Sequence, residues 1–179
     1  QGLLAAVWNR TKSKAQLIAQ ETGCAIADST AALAPLCDVI VICVSADTDV
    51  LNVVDSLLPT IRRDSIVIDC STVSADTARS AAHRLRERGA YFLDAPVSGG
   101  VEGARDGTLA IMVGGDASAF ERARPVLEAM GRIVTHFGAS GSGQAAKATN
   151  QIMCAGVIQA VAEAMAFAKS EELPLDKLI

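Results

Sequence analysis

Hydrophobic residues in this chain form short unbroken runs rather than alternating with polar residues. Each run has the length of a strand and is rich in Val, Ile, Leu and Ala. A strand that is apolar on both faces must be covered on both sides, as in a parallel sheet between two layers of helices. The runs that predict such strands are 4–8, 38–44, 65–70, 91–95, 108–113 and 132–137.

Between these runs lie stretches with helical patterns. Ser74 and Asp76 are suited to cap the first amides of one such helix, and Gly89 follows its basic last turn. Strands that alternate with helices predict a doubly wound, mostly parallel Rossmann-type α/β sheet with right-handed connections. The predicted helices are 12–21, a short one at 29–34, 48–58, 74–88 and 117–130.

The pattern changes after residue 137. Three glycines mark a turn, and residues 144–168 then form one long alanine-rich segment without proline before Pro174. A long helix that leaves a Rossmann-type sheet usually begins a second domain. We therefore predict a nucleotide-binding type of domain over residues 1–140, and over 141–179 an interdomain helix with the start of an all-helical domain that continues beyond this chain.

Charge and cysteine content exclude several classes of function. The net charge is −4 and basic residues are scattered, which argues against nucleic-acid binding. Five widely spaced cysteines, no Cys-x-x-Cys pair and two distant histidines argue against a zinc site and suit a reducing cytoplasm. No signal peptide is visible, and no unbroken apolar run reaches the length of a membrane span. We expect a cytoplasmic protein, with most thiols packed as small core residues.

A first polar cluster, Asn9, Arg10 and Thr11, follows the first predicted strand. In a Rossmann-type sheet the end of the second strand meets the adenosine ribose, where an acid suits NAD and an arginine accommodates the 2′-phosphate of NADP. A plain helix start, with Thr11 as the cap, explains the same residues. No Gly-x-Gly-x-x-Gly turn precedes them, so either the chain binds no dinucleotide or that turn lies before residue 1.

A second cluster, Ser98, Gly99 and Gly100, follows the strand that ends near Asp94. A hydroxyl beside bare amides at the carboxyl end of a strand suits a carboxylate ligand. A tight loop that needs glycine backbone angles is the alternative.

A third cluster lies at the start of the long helix. Lys147, Asn150 and Gln151 share one face of an otherwise alanine-rich segment, with Cys154 one turn further along. A helix N-terminus and burial both disfavour the ammonium form, which suits a lysine that transfers protons. A lysine whose amine reaches solvent is the alternative.

Together these motifs resemble the β-hydroxyacid dehydrogenase family, whose nucleotide-binding domain is of the 6-phosphogluconate dehydrogenase type. Its members include 3-hydroxyisobutyrate dehydrogenase and the tartronate, glyoxylate and succinic semialdehyde reductases. The resemblance covers the whole chain in order. It rests on Asn-Arg-Thr at 9–11, Asp-Cys-Ser-Thr at 69–72, Asp-Ala-Pro-Val-Ser-Gly-Gly at 94–100, Asp-Gly-Thr at 106–108 and Gly-x-x-Gly-x-Gly-x-x-x-Lys-x-x-Asn at 138–150.

The resemblance implies an NAD(P)-dependent oxidoreductase that interconverts a short hydroxy acid and its semialdehyde or oxo acid. Lys147 is then the general acid/base. The substrate carboxylate is bound by Ser98, Gly99 and Gly100, and Asn150 and Gln151 lie beside the substrate. The cofactor contacts are Asn9, Arg10, Thr11, Val44, Ser45 and Thr72.

Some points stay open at the level of sequence. Many relatives carry asparagine four residues after the lysine, where this chain has Gln151. Arg10 without an acid beside it favours NADP(H), with NAD(H) as the other possibility. A non-catalytic module on the same fold, or an imine reductase, is the alternative function, although imine reductases usually replace the lysine. The apolar faces of the long helix predict a homodimer or homotetramer.

Overall fold

The computed structural model describes residues 2–178. Its strands are β1 Ala6–Val7, β2 Ala25–Ile26, β3 Val39–Ile42, β4 Ile66–Asp69, β5 Tyr91–Asp94, β6 Val97–Ser98, β7 Leu109–Gly115 and β8 Gly131–Gly138. Its α-helices are α1 Lys12–Thr22, α2 Thr30–Leu33, α3 Asp47–Leu57, α4 Ala75–Arg86, α5 Gly100–Asp106, α6 Ala117–Met130 and α7 Ser142–Ser170. Short 3₁₀ turns lie at Ala34–Leu36 and Leu175–Lys177.

The main sheet has six strands in the order β3-β4-β5-β7-β6, with β8 paired to the long strand β7. Strands β3, β4 and β5 are parallel, and Ile42, Asp69 and Asp94 stand opposite one another at their ends. The mostly parallel sheet predicted from the sequence is confirmed, but β7 runs antiparallel to both β5 and β6. An apolar run has the same pattern in either direction, so the sequence alone did not show this reversal.

The core fills both faces of the sheet, as the unbroken apolar runs predict. Along β4, Val67 faces the cluster that includes α3 and α4, whereas Ile66 and Ile68 face the cluster that includes α6. Strand β8 departs from this pattern, because Ile133 and Phe137 are more than half exposed at the edge of the sheet.

Strands β1 and β2 form a separate two-stranded parallel sheet. The predicted strand at 4–8 is therefore only two residues long, since only Ala6 and Val7 have paired partners. Within residues 2–178 no strand pairing joins this small sheet to β3, whose residue Val41 is 43% exposed.

Helix ends follow the predicted chemistry in part. The Ser74 hydroxyl accepts a hydrogen bond from the N–H of Thr77, and Gly89 has a φ of +74° after α4. Thr11 stands at the N-cap position of α1 as expected, but its side chain makes no capping hydrogen bond. Instead the Asn9 side-chain oxygen accepts the Thr11 N–H over 2.8 Å.

The long helix α7 is confirmed and begins two residues before the predicted start. By length and composition alone, it could cross a membrane. Its first turns nevertheless pack on β7 and β8 of the sheet, and polar side chains interrupt its apolar surface there. Beyond them the helix leaves the sheet and exposes Ile152, Met153, Val157, Ile158, Val161 and Phe167.

The cysteines are less buried than expected. All five are free, and only Cys70 is buried, while Cys43 and Cys154 are exposed. The expectation that most thiols pack in the core is therefore wrong: an apolar neighbourhood in sequence did not ensure burial at strand ends or on the projecting part of α7. Within residues 2–178, no group of three or more His, Cys, Asp or Glu residues could hold a metal ion.

Candidate functional site

The candidate site lies at the edge where β3, β4 and β5 end. Because these strands are parallel and in register, the loops that follow them begin side by side. Val44, after β3, is half-buried, whereas Ser45 and, after β4, Thr72 are exposed. This edge is where open α/β sheets bind ligands.

Asp94, the last residue of β5, fastens the start of α7 to this edge. It is fully buried, and its carboxylate accepts the backbone N–H of Gly141 over 2.8 Å and that of Gln144 over 3.0 Å. Burial raises the pKa of Asp94, while the donated N–H groups act in the opposite direction. A negative charge at a helix N-terminus is also favoured by the helix dipole.

Gly143 allows the close contact between this helix start and the sheet. A Cβ at this position would overlap the carbonyl oxygens of Met112 and Asp94. The three glycines that the sequence showed as a turn therefore include one whose missing side chain lets α7 approach β5 and β7.

Gln144 connects α7 to the loop after β4. Its side-chain Nε2 donates to the carbonyl oxygen of Ser71 over 2.8 Å, and its Oε1 accepts the N–H of Val73 over 3.2 Å. The side chain is buried. These two hydrogen bonds hold the backbone on both sides of Thr72.

Lys147 lies one turn further along α7. Only 8% of the residue is exposed, and within residues 2–178 its amine makes no hydrogen bond or ion pair. Asn150 is half-buried and donates from Nδ2 to Oε1 of the exposed Gln151 over 3.3 Å. Exposure to solvent therefore increases along the predicted shared face: Lys147 is buried, Asn150 is half-buried and Gln151 is exposed. Cys154, beyond them, is exposed.

Ser71 links the neighbouring loops. Its hydroxyl accepts the N–H of Val44 over 2.9 Å, and its own N–H donates to Oδ1 of Asp69 over 3.0 Å. The hydrogen bonds thus bring Val44, the loop of Thr72 and the helix of Lys147 into one network.

Asp69 is a buried carboxylate at the end of β4. Its Oδ2 has no hydrogen-bond partner among residues 2–178. Burial raises the pKa of Asp69 to about 6, although the hydrogen bonds from Ser71 oppose this rise. An unpartnered carboxylate oxygen in the interior favours the protonated form.

Asp47 holds the starts of α3 and α4 together at the same edge. It accepts the hydroxyl of Thr77 over 2.6 Å and the N–H of Ser74 over 2.9 Å. These hydrogen bonds, that of Thr77 first, lower the pKa of the Asp47 carboxyl to about 2.

The segment Ser98 to Gly100 belongs mostly to regular secondary structure and not to a loop. Ser98 is half-buried in β6 and pairs with Ala110, and Gly100 begins α5, an element absent from the sequence prediction. The prediction that the segment needs glycine backbone angles is confirmed, since φ is +134° at Gly99 and +65° at Gly100. A Cβ at Gly100 would meet no atom within 4 Å, so its backbone faces open space.

The cluster of Asn9, Arg10 and Thr11 stands apart from this network. All three residues are exposed at the turn between β1 and α1, in the separate two-stranded sheet. The first turn of α1 contains no acidic residue, so the surroundings of Arg10 stay basic.

Sequence reasoning assigned no role in the site to Asp94, Gln144 or Asp69, although Asp69 and Asp94 stand in the motifs that carry the resemblance. Asp69 and Asp94 are acidic residues at the ends of apolar strands, and this signal was visible in the sequence. Gln144 precedes Lys147 by one helical turn, so it lies on nearly the same face. The partners of all three are distant in sequence or belong to the backbone.

Known proteins resemble this chain over nearly its whole length. Residues 1–138 match the family model of the NAD binding domain of 6-phosphogluconate dehydrogenase. An uncharacterized oxidoreductase of Synechocystis is 41% identical over 170 residues, which are 93% of this chain and 58% of that protein. The NAD-dependent L-serine dehydrogenase of Pseudomonas aeruginosa is 51% identical over 112 residues, or 63% of this chain and 38% of that protein.

A solved structure shares the fold. The 3-hydroxyisobutyrate dehydrogenase of Mycobacterium tuberculosis, studied with L-serine, is 37% identical with a TM-score of 0.94, covering 99% of this chain and 60% of that one. The chain thus spans about three fifths of the length of such relatives. The resemblance to β-hydroxyacid dehydrogenases is confirmed, and the chain belongs to the family that carries the NAD-binding domain of 6-phosphogluconate dehydrogenase.

Proposed function

We propose that the protein is an NAD(P)-dependent oxidoreductase that interconverts a short 3-hydroxy acid, or a similar hydroxy acid, and its semialdehyde or oxo acid. The observation that carries this proposal is the position of Lys147. It is a buried lysine with no charged or hydrogen-bonding partner within residues 2–178, on a helix that Asp94 and Gln144 fasten to the ligand-binding edge of the sheet. A lysine in such a place is available to a substrate.

Lys147 acts as the general acid/base. In reduction its ammonium donates a proton to the carbonyl oxygen of the substrate, and in oxidation the neutral amine removes the hydroxyl proton.

Ser98, Gly99 and Gly100 bind the substrate carboxylate. The open backbone at Gly100 and the half-buried hydroxyl of Ser98 support this role. Asn150, at the boundary between Lys147 and solvent, orients the substrate, and Gln151 supports Asn150 through their hydrogen bond.

The residues of the chain fit a dinucleotide. Three strands end in register at one edge, where Ser45 and Thr72 are exposed after two of them. When bound, NAD(P) supplies or accepts the hydride that completes the two-electron reaction. The residues that would hold it are Asn9, Arg10 and Thr11 on the adenosine side, Val44 and Ser45 along its length, and Thr72 on the nicotinamide side.

NADP(H) is the favoured cofactor, with NAD(H) as a second possibility. Arg10 is exposed, and no acid occupies the first turn of α1 to repel a 2′-phosphate. Lys12 and Lys14 add positive charge to the same turn.

Three further features belong to the proposal. The chain divides into a nucleotide-binding domain over 1–140 and the start of a helical domain over 141–179. The exposed apolar side chains of α7 are covered in a homodimer or homotetramer, since so large an apolar surface favours association. The protein works in the cytoplasm, where its five free thiols stay reduced.

Consumption of reduced cofactor tests the function directly. The intact protein is mixed with NADPH or NADH and, in turn, glyoxylate, succinic semialdehyde, tartronate semialdehyde and methylmalonate semialdehyde. We expect turnover of at least one carboxylate-bearing aldehyde or oxo acid, and none of the same aldehyde without its carboxylate. Tight cofactor binding without turnover of any of these compounds would favour the non-catalytic module instead.

A further inference from the structure

The buried carboxamide of Gln144 lies between two parts of the proposed site. We propose that Gln144 is a positioning residue that fixes the separation between Thr72, on the nicotinamide side, and the amine of Lys147. This inference rests on the proposed oxidoreductase function. It assigns Gln144 no contact with substrate or cofactor.

Both ends of the Gln144 carboxamide are used. Nε2 donates to the carbonyl oxygen of Ser71, and Oε1 accepts the N–H of Val73, so the two bonds flank Thr72 in the chain. A rotated amide would place N–H against N–H and oxygen against oxygen. Both hydrogen bonds are therefore made in only one orientation of the amide, and in that orientation they tie the loop to α7.

The backbone of Gln144 is held from the opposite direction. Its N–H donates to the carboxylate of Asp94 at the end of β5, and the residue is 3% exposed. One residue thus joins the end of β5 and the loop after β4 to the same turn of α7.

The position of Lys147 follows from this attachment. It lies three residues further on the same helix, about 4.5 Å along the axis. In the proposed reaction a proton must reach the oxygen and a hydride the carbon of one carbonyl group. A displacement of about 1 Å between the groups that deliver them can cost about 100-fold in rate.

Two substitutions, Gln144→Met and Gln144→Glu, distinguish a positioning role of the Gln144 hydrogen bonds from a general contribution to the stability of the fold. Methionine fills a similar volume without either hydrogen bond. Ionised glutamate keeps the acceptor for Val73 but places negative charge against the Ser71 carbonyl. Protonated glutamate restores both bonds, since it offers one O–H donor and one acceptor oxygen, and burial raises the pKa of such a carboxyl.

We expect Gln144→Met to lower kcat about 10- to 100-fold in the intact protein while the dissociation constant of NADPH changes less than about threefold. For Gln144→Glu, the ratio of its kcat to that of the wild type should rise as the pH is lowered from about 8 to about 5, because protonation restores the donor. The same ratio for Gln144→Met should be flat. Gln20→Met and Gln20→Glu, at an exposed position on α1, are the matched controls.

Amide hydrogen exchange without cofactor gives a readout independent of activity. In Gln144→Met the Val73 N–H should exchange about tenfold faster, because it loses its acceptor. The Ala78 N–H, which donates to Ser74 within the start of α4, is the internal control and should be unchanged.

Three results would overturn the role of Gln144: an unchanged kcat in Gln144→Met, a pH-independent ratio for Gln144→Glu, or an unchanged exchange rate at Val73. Wild-type protein that turns over no compound of the substrate panel would overturn the proposed function itself. Active wild type with an equally active Gln144→Met removes only the positioning role.

Discussion

The carboxylate of Asp94 accepts the backbone N–H of Gly141 over 2.8 Å, across 47 positions of sequence. This hydrogen bond joins the end of a central strand to the turn that starts α7. Together with the bond to Gln144, it makes Asp94 the buried anchor of the helix that carries Lys147.

Asp94→Asn should lower both stability and turnover. An asparagine offers one oxygen acceptor, and its NH₂ group would face one of the two N–H donors. Loss of a hydrogen bond to a charged group costs about 1.5–3 kcal/mol, so we expect a decrease of about 2 kcal/mol in the free energy of unfolding, measured with urea. We expect kcat to fall about tenfold or more as α7 shifts.

The control for this change is Asp116→Asn. Asp116 also caps a helix, accepting the N–H of Ala119 at the start of α6, but it is exposed and accepts none of the hydrogen bonds that hold the start of α7. Asparagine caps helices as well as aspartate does, so stability and turnover should be nearly unchanged. Equal effects of the two substitutions would contradict a special role for Asp94.

Asp69→Asn should change how stability depends on pH. The folded protein binds a proton at Asp69 more tightly than the unfolded chain, because its pKa rises from 3.8 to about 6. The stabilising contribution of that proton is complete below about pH 4 and is lost as the pH rises through about 6. From pH 4 to 7, the free energy of unfolding of Asp69→Asn minus that of the wild type should therefore increase, by at most about 3 kcal/mol.

Urea unfolding at several pH values measures this difference. The Asp47 carboxyl, with its lowered pKa, stabilises the fold above about pH 4 and loses that effect toward about pH 2, equally in both proteins, so it cancels. Asp28→Asn, at an exposed position, reports the effect of losing a surface charge. A difference between Asp69→Asn and wild type that stays constant with pH would contradict the raised pKa.

The sequence predicted the buried strands and the helices that cover them, because burial leaves a recognisable pattern of apolar residues. The centres of β3, β4 and β5 lie within the predicted apolar runs, and α6 has the predicted bounds, because a sheet covered on both faces needs such runs. The two-residue strands β2 and β6 and the reversed direction of β7 were not predicted, since none of these features alters the local pattern of apolar residues.

The sequence pointed to the residues to which we assign the chemistry, but not to the residues that hold them in place. Lys147 was expected on an inward helix face, whereas the exposure of Gln151 was not expected, because only the first turns of α7 border the sheet. The bonds from Asp94 to Gly141 and from Gln144 to Ser71 join residues far apart in sequence. No local spacing rule encodes such pairs, so they became visible only in the fold.

Lys147→Met should abolish most turnover while leaving the cofactor bound. Methionine keeps the packing of the buried stem but carries no proton, and a general acid/base usually contributes about two to four orders of magnitude. We expect kcat to fall by that amount, with nearly unchanged NADPH affinity measured by fluorescence. Lys169→Met, in the exposed last turn of the same helix, should behave as wild type. Retained turnover in Lys147→Met would remove this residue from the proposed mechanism.

Arg10 should determine the preference for the phosphorylated cofactor. The wild type should bind NADPH more tightly than NADH, because the exposed guanidinium can pair with the 2′-phosphate and no acid lies in the first turn of α1 to repel it. Arg10→Ala removes this contact and should weaken NADPH binding about 10- to 100-fold, since a charge-assisted hydrogen bond is worth about 1.5–3 kcal/mol, and leave NADH binding nearly unchanged. Titration of both reduced cofactors by nicotinamide fluorescence measures the four constants, with Arg88→Ala, exposed beyond α4, as the control for lost positive charge. If the wild type binds NADH as tightly as NADPH or more tightly, the predicted preference is wrong. If Arg10→Ala weakens the binding of both cofactors equally, Arg10 contacts a part of the dinucleotide that NADH and NADPH share.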